Sequence, residues 1–201
     1  MKKYSRLNLL SNAVLDNTGE IINRIFESKY ARLEIEIPTS DLKRAQVFVN
    51  TVNELIEDEV DEYFTVDKLI VLLYRDFLRQ VDQGMDLETL ANAIRAKMAA
   101  LENKTLKVKH YLALEEDMDL DSLKQRVKAQ KKKRMSYSVV TFKVYKQSVL
   151  RGELLLHDLA ELHPDLEMTV EDLIALRLRD VLKEIKKGDY NILANVVELL
   201  T

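Results

Sequence analysis

The chain contains no cysteine and no tryptophan among its 201 residues. Without cysteine there can be no disulfide, no thiol nucleophile and no cysteine-ligated zinc, and a reducing cytoplasm is the expected compartment. No run of about 18 apolar residues exists, the length that a membrane-spanning helix requires. The first residues, MKKYSRLNLLSNAVLD, begin with two lysines, but polar residues interrupt the apolar core that a signal peptide needs. We therefore expect a cytoplasmic protein with no membrane span.

Glycine, proline and aromatic residues are also scarce. Four glycines, two prolines and 6% aromatic residues predict a helix-rich fold with short connections. The 31 basic and 34 acidic residues give a net charge of −3, so the chain as a whole has no electrostatic attraction to nucleic acid. With 47% hydrophobic residues, the chain can bury one good core or two small ones.

Catalytic motifs are missing as well. The sequence has no GxSxG, no glycine loop that would cradle a phosphate, and no paired-carboxylate motif. His157 precedes Glu161 by four residues on a predicted helix, so the two can share a metal, but a third ligand is not evident. An exposed histidine with a nearby acid is the commoner arrangement. We expect no enzyme activity, no cofactor and no metal.

What the chain does contain is a segment that occurs twice. Residues 65–78, TVDKLIVLLYRDFL, and residues 169–182, TVEDLIALRLRDVL, are identical at eight of fourteen positions at an offset of 104. Apolar residues recur at spacings of three and four in both segments, which is typical of an amphipathic helix. Thr65 and Thr169 are predicted N-caps, each followed by an acidic residue in the first turn. Glycines at the same offset, Gly84 and Gly188, predict left-handed helix ends.

The repetition extends to neighbouring elements. Residues 31–38, ARLEIEIP, and 138–146, SVVTFKVYK, alternate apolar and polar side chains, which predicts two strands. A helix with apolar periodicity follows each strand at an offset of 107, and the three-residue difference places an insertion between the two helices of the first copy. A third helix, Asp86–Leu101, has an echo in Leu193–Val197. Each copy is therefore predicted to be a strand followed by three helices.

These patterns predict a mainly α fold with one short two-stranded antiparallel ribbon, built from two diverged strand-helix-helix-helix repeats that form a pseudo-twofold unit. The predicted organisation is an N-terminal region (1–29) with an amphipathic helix over Leu7–Ser28, repeat 1 (30–101), a charged linker or helix (102–136) and repeat 2 (137–201). Pairing of the first strand with its own copy in a second chain would oppose glutamates. Pairing with the second strand would place Glu34 and Glu36 against Lys143 and Lys146, so we expect one chain to form its own ribbon.

The strand, the two helices and the shared pattern Thr-Val-acid…Leu-Ile…Arg-Asp-x-Leu resemble the ribbon-helix-helix family over residues 30–81 and 138–185. In that family the outward side chains of the ribbon enter the DNA major groove, and the start of the second helix contacts a phosphate. The resemblance implies a DNA-binding regulator, such as a repressor, an antitoxin or a plasmid partition or transfer factor. It implies base contacts from Arg32, Thr141, Lys143 and Tyr145. The implied phosphate contacts are Thr65, Thr169, Lys131, Lys132, Lys133 and Arg134.

A second interpretation keeps this fold without DNA binding. Acidic residues cluster between Glu54 and Glu62, where calcium-loop spacing is absent, and these acidic turns or the N-terminal helix would then contact a protein partner. The basic run at Lys131–Arg134 would be a solvated helix end neutralised by the chain's own acids. The partner is thus double-stranded DNA in the first interpretation and a protein in the second, with the chain a monomer or a homodimer.

Overall fold

A strand followed by three helices occurs twice along the chain, in the order that the sequence predicts. A computed structural model describes residues 2–15, 28–56, 62–99, 136–188 and 191–200. The elements are α1 (Leu9–Leu15), β1 (Tyr30–Pro38), α2 (Thr39–Ile56), α3 (Val66–Asp82), α4 (residues 87–99), β2 (Tyr137–Tyr145), α5 (Lys146–Leu162), α6 (Val170–Lys187) and α7 (Asn191–Glu198). The protein is thus mainly helical with one two-stranded sheet, as predicted. The pseudo-twofold relation between the two halves stays a prediction.

The two strands form an antiparallel ribbon within one chain. The register runs from Tyr30 opposite Tyr145 to Pro38 opposite Tyr137, so the prediction of in-chain pairing is confirmed. The inner face of the ribbon is buried, with Leu33 opposite Phe142 and both almost inaccessible to solvent. Alternation of apolar and polar residues on both strands explains this, because a two-residue period places every second side chain on the same face.

The predicted charge pairing across the ribbon is wrong. Glu34 lies opposite Thr141 and Glu36 lies opposite Val139, whereas Lys143 lies opposite Arg32. A shift by one residue would move every apolar side chain to the solvent face, so the buried face sets the register more strongly than surface charges do. Cross-strand ion pairs contribute only about 0.2–1 kcal/mol each, which is too little to compete with that burial.

The core lies between the ribbon and the repeated helices. Helix α3 packs against β2, α6 packs against β1, and the two helices contact each other. The largest fully buried side chains of these helices are Leu69, Ile70, Tyr74, Phe77, Leu173, Ile174 and Leu178. Arg177 takes the place that Leu73 has in the first copy, and its guanidinium carbon lies 5.0 Å from the centroid of the Phe77 ring. This cation–π contact lets a charged residue pack beside the core.

The ends of α3 and α6 have the caps that the sequence predicts, except that the Thr65 side chain forms no cap hydrogen bond. Gly84 follows α3 and Gly188 caps α6, both with positive φ (97° and 85°), as predicted. Thr169 forms a capping box with Asp172, in which each side chain bonds the other residue's backbone N–H. Thr65 caps α3 by backbone conformation only, because its hydroxyl donates to the Asp67 carboxylate and makes no cap hydrogen bond.

A buried asparagine fixes the approach to α3. The Asn53 side chain of α2 donates to the Phe64 carbonyl at 2.9 Å and accepts from the Phe64 N–H at 2.8 Å. The amide therefore pairs with Phe64 as a neighbouring strand would, and leaves neither backbone group unsatisfied. This pair holds the residues before Thr65 against α2.

Some predicted elements are only partly described. The predicted Leu7–Ser28 helix begins two residues later, at Leu9, and is helical to Leu15, while Ser28 lies in a bend and residues 16–27 lie outside the described ranges. The third helix of repeat 1 is α4, over residues 87–99 of the predicted Asp86–Leu101. The predicted linker 102–136 lies outside the described residues except for Ser136. In the ranges that are described, no helix combines the length and the apolar character needed to cross a membrane.

Candidate nucleic-acid interface

The solvent face of the ribbon brings together all four predicted base-contacting residues. Arg32, Thr141, Lys143 and Tyr145 are exposed on this face. Arg32 and Lys143 lie directly opposite each other on one rung. Neither forms an ion pair with another described residue. Two neighbouring cations on an exposed rung repel each other, so their arrangement favours a ligand with acceptor or anionic groups.

Arg6, which no sequence motif singles out, changes the charge of this face. Its guanidinium Nη1 lies 2.7 Å from Glu34 Oε2, with both side chains largely exposed. Glu34 therefore carries its own counter-ion, whereas Glu36 forms no ion pair with the described residues. Arg6 lies 28 residues before Glu34, outside both repeats, so no local pattern indicates this pair.

A tyrosine pair closes one end of the ribbon face. The rings of Tyr30 and Tyr145 lie 4.5 Å apart between centroids, and the Tyr30 hydroxyl donates to the Tyr145 hydroxyl at 2.8 Å. This hydrogen bond raises the pKa of Tyr30 above its ordinary value. The pair thus forms an aromatic edge on the rung two positions from Arg32 and Lys143.

The N-terminal segment (residues 2–15) lies over the start of α6. The Tyr4 carbonyl accepts from the Val170 N–H at 2.7 Å, and the Arg6 N–H donates to Glu171 Oε1 at 3.0 Å. The predicted phosphate contact at Thr169 stays a prediction. A phosphate at this helix start must compete with the Tyr4 carbonyl for Val170 and with the capping box for Thr169.

A buried glutamate on α5 holds the N-terminal segment in place. Glu153 is fully buried and accepts hydrogen bonds from the Ser5 hydroxyl and from the backbone N–H groups of Leu9 and Leu10. These two N–H groups begin α1, where no helical partner is available to them. Glu153 therefore caps the start of α1 from a position about 140 residues further along the chain. It thereby connects the N-terminal segment to repeat 2.

An acidic cleft separates the start of α6 from β1. The cleft has a volume of about 420 Å³, and its walls include Glu34, Glu36, Glu171 and Asp172. Glu171 is 93% buried, and its Oε2 atom has no hydrogen-bond partner in the described part of the chain. Arg6 also lines the cleft and pairs with Glu34, so the four carboxylates leave the cleft with a net negative charge, which repels a phosphate and attracts a cation.

Among the described residues, fewer groups bond to the start of α3 than to the start of α6. Thr65 is half-buried, and its hydroxyl bonds only to Asp67. Lys68 lies in the first turn, where its ammonium group contacts Glu62 at 2.8 Å and the Tyr63 carbonyl at 2.7 Å. The basic run predicted to contact phosphates, Lys131, Lys132, Lys133 and Arg134, lies outside the described residues.

One group of side chains has metal-ligand types within reach of one another. His157, Asp158 and Glu161 on α5 place one ligand atom each within 4.8 Å of the others, so Asp158 offers a third atom of ligand type that sequence spacing does not indicate. His157 Nδ1 lies 3.6 Å from Asp158 and 3.9 Å from Glu161. Both carboxylates are exposed.

Comparison with protein-family models, with curated proteins and with solved structures finds no match to this chain. The resemblance to the ribbon-helix-helix family therefore stays a prediction from the sequence pattern.

Proposed function

We propose that this chain is a cytoplasmic DNA-binding regulator that inserts the exposed face of its own ribbon into the major groove. The observation that carries the proposal is the Arg32–Lys143 rung, where two cations without ion pairs among the described residues lie side by side on an exposed two-stranded ribbon. A two-stranded ribbon has the width that the major groove admits. The proposed role is binding, not catalysis.

The chemistry of the face suits base edges. Arginine and lysine bind the O6 and N7 acceptors of guanine, and Thr141 can bond a base edge or contact a thymine methyl group. Tyr145 would contact the next position along the groove. The repulsion between Arg32 and Lys143 would be relieved when guanine acceptors lie between them.

The two glutamates do not prevent this arrangement. Arg6 neutralises Glu34, so the central part of the face has three cations, Arg6, Arg32 and Lys143, against Glu34 and Glu36. Glu36 can accept from a cytosine amine, which would add specificity. Phosphate contacts would come from the start of α3 at Thr65 and, as the family resemblance implies, from Thr169 and the Lys131–Arg134 run.

The test is selection of a preferred duplex from a random library, followed by titration of salt from about 50 to 200 mM. We expect Arg32→Ala and Lys143→Ala each to weaken binding to the selected site by about 1–3 kcal/mol and to relax a guanine preference. Lys183→Ala is the matched control, since Lys183 is an exposed cation on α6 that pairs with Asp180. Binding that is undetectable at low salt, or equal weakening by the control, contradicts the proposal.

A second candidate function is favoured by the acidic cleft. Its carboxylates, with the buried and unpaired Oε2 atom of Glu171, suit an arginine or lysine side chain of a partner protein. In that case Glu36→Gln would weaken partner binding while Arg32→Ala would not. In the DNA assay Arg32→Ala should weaken binding more than Glu36→Gln does, so the order of the two effects distinguishes the two functions.

A further inference from the structure

An open apolar groove lies between α2, the end of α6 and α7. Its volume is about 470 Å³, and its apolar wall consists of Val47, Phe48, Ile185 and Leu193. Val47 is 66% exposed, and Leu55, eight residues further along α2, is 56% exposed. Val47 lines the groove itself, and Leu55 continues the same apolar side of α2 two turns further on.

The exposed residues form a ridge suited to a second helix. Val47, Thr51 and Leu55 follow one another at intervals of four, which is the row of side chains that packs into the groove of a neighbouring helix. The Thr51 hydroxyl bonds the Val47 carbonyl at 3.2 Å, so its polar group is satisfied within α2. The ridge therefore presents little unsatisfied polar surface to a helix that packs against it.

The rim of the groove is positively charged. Lys43 and Lys186 lie on opposite sides of it, one on α2 and one on α6, and neither forms an ion pair with a described residue. Arg44 also lines the groove, but it pairs with Asp41 at 2.6 Å. The net charge of the chain is −3, so these cations make a local basic rim beside the apolar wall of the groove. Its complement is an amphipathic helix with acidic residues beside the apolar stripe.

We propose that the α2 groove (Lys43, Val47, Phe48, Ile185, Lys186, Leu193) binds an acidic amphipathic helix of a partner protein. On α6 the groove lies about 22 Å along the axis from Val170, because Ile185 is fifteen residues beyond it, and on α2 the groove begins at Lys43, five residues after β1 ends. A helix bound there leaves the exposed face of the ribbon uncovered. The groove thus provides a site for a partner that can bind together with a ligand on the ribbon.

The probe is a synthetic peptide of about 18 residues with leucines at helical spacing and glutamates on both flanks, labelled for fluorescence anisotropy. The control peptide carries lysine at each glutamate position. We expect the glutamate peptide to bind about five-fold or more tightly than the lysine peptide. The double variant Lys43→Glu/Lys186→Glu should reverse that preference, which a merely hydrophobic surface would not do.

Val47→Asp tests the apolar wall of the groove. It should weaken binding of the glutamate peptide at least about ten-fold, because it places a charge in the contact. Leu154→Asp on α5 is the matched control, since Leu154 is also a half-exposed apolar residue on a helix but lies outside the groove. Equal binding of the two peptides, or equal effects of the two aspartates, overturns the proposal.

Displacement of the peptide by dodecanoate at matching affinity would assign the groove to a small amphiphile. A concentration-dependent dimer that Val47→Asp abolishes would assign it to a second copy of this chain.

Discussion

Replacement of Gly152 by alanine tests a close approach between helices α3 and α5. Gly152 lies in α5, and a Cβ atom added there would be 2.0 Å from the hydroxyl oxygen of Tyr74 in α3 and 3.1 Å from a methyl of Val170. The Tyr74 hydroxyl is fixed because it donates to the Ser148 carbonyl at 2.9 Å and its ring is fully buried. The glycine is therefore required for this approach of α3 to α5.

The magnitude follows from two opposing effects. Gly→Ala in a helix interior gains about 1 kcal/mol of helix propensity. Overpacking of a core costs about 1–3 kcal/mol, and a 2.0 Å contact with a buried, hydrogen-bonded hydroxyl is at the severe end of that range. We expect a net loss of about 2 kcal/mol in the free energy of unfolding. In a chain of this size that corresponds to a decrease in Tm of about 4–8 °C.

The assay is urea denaturation of the wild type, Gly152→Ala, Tyr74→Phe and the double variant. Tyr74→Phe alone should lose about 1 kcal/mol with its hydrogen bond. The double variant should be more stable than the sum of the single losses predicts, because the phenylalanine leaves room for the new methyl group. Gly84→Ala is the control: it is strained by its positive φ but meets no atom within 4 Å, so it should be additive with Tyr74→Phe. A neutral or stabilising Gly152→Ala, or strict additivity with Tyr74→Phe, would refute this reasoning.

Three further predictions concern buried polar groups. Glu153→Leu should cost about 3 kcal/mol and speed hydrogen exchange in α1, because it leaves buried donors unpaired; an effect no larger than that of Ser5→Ala would contradict this. Asn53→Ala should cost about 2 kcal/mol by leaving the Phe64 N–H and carbonyl unpaired, and Asn53→Asp, which turns a carboxylate oxygen toward the Phe64 carbonyl in a buried site, should cost at least as much in the same urea assay. Burial raises the pKa of Tyr74 above its ordinary value near 10, so the folded chain keeps a proton that the unfolded chain releases. Stability from this group is complete below pH of about 10 and declines as the pH rises further, and a Tyr74→Phe variant with an unchanged alkaline slope would contradict that assignment.

Elements with a short-range period could be predicted from the sequence. The alternation in the two strands, the three- and four-residue spacing in α3 and α6, and the stops at Gly84 and Gly188 are local signals, and the structure has each of them. In-chain pairing of the strands was also predicted, although the charges used to argue for it lie on other rungs. The buried inner face set the register, and a count of surface charges could not reveal it.

Contacts between distant parts of the chain could not be predicted. Glu153 lies in the helix that apolar periodicity predicts after β2, and nothing near it in the sequence indicates that it caps α1 in the N-terminal region. Arg6 and Glu171 are similarly joined through the N-terminal segment, which has no counterpart in repeat 2. These contacts make the starts of α3 and α6 different, even though Thr65 and Thr169 open nearly identical sequences. The starts of α3 and α6 therefore differ in the residues that cover them. The residue patterns within the repeats do not predict this difference.

The central claim is that one chain supplies both strands of the ribbon in the observed register. The chain has no cysteine, so Glu36→Cys/Val139→Cys introduces one cross-strand pair on the exposed face, where directly opposed residues lie within disulfide range. Under mild oxidation we predict a disulfide within one chain, seen as a monomer of increased mobility on non-reducing gels. The pair Glu34→Cys/Tyr137→Cys is four positions out of register and should remain reduced. Disulfide-linked dimers, or equal oxidation of both pairs, would contradict the intramolecular ribbon. They would also contradict the proposal that this ribbon binds in the DNA major groove.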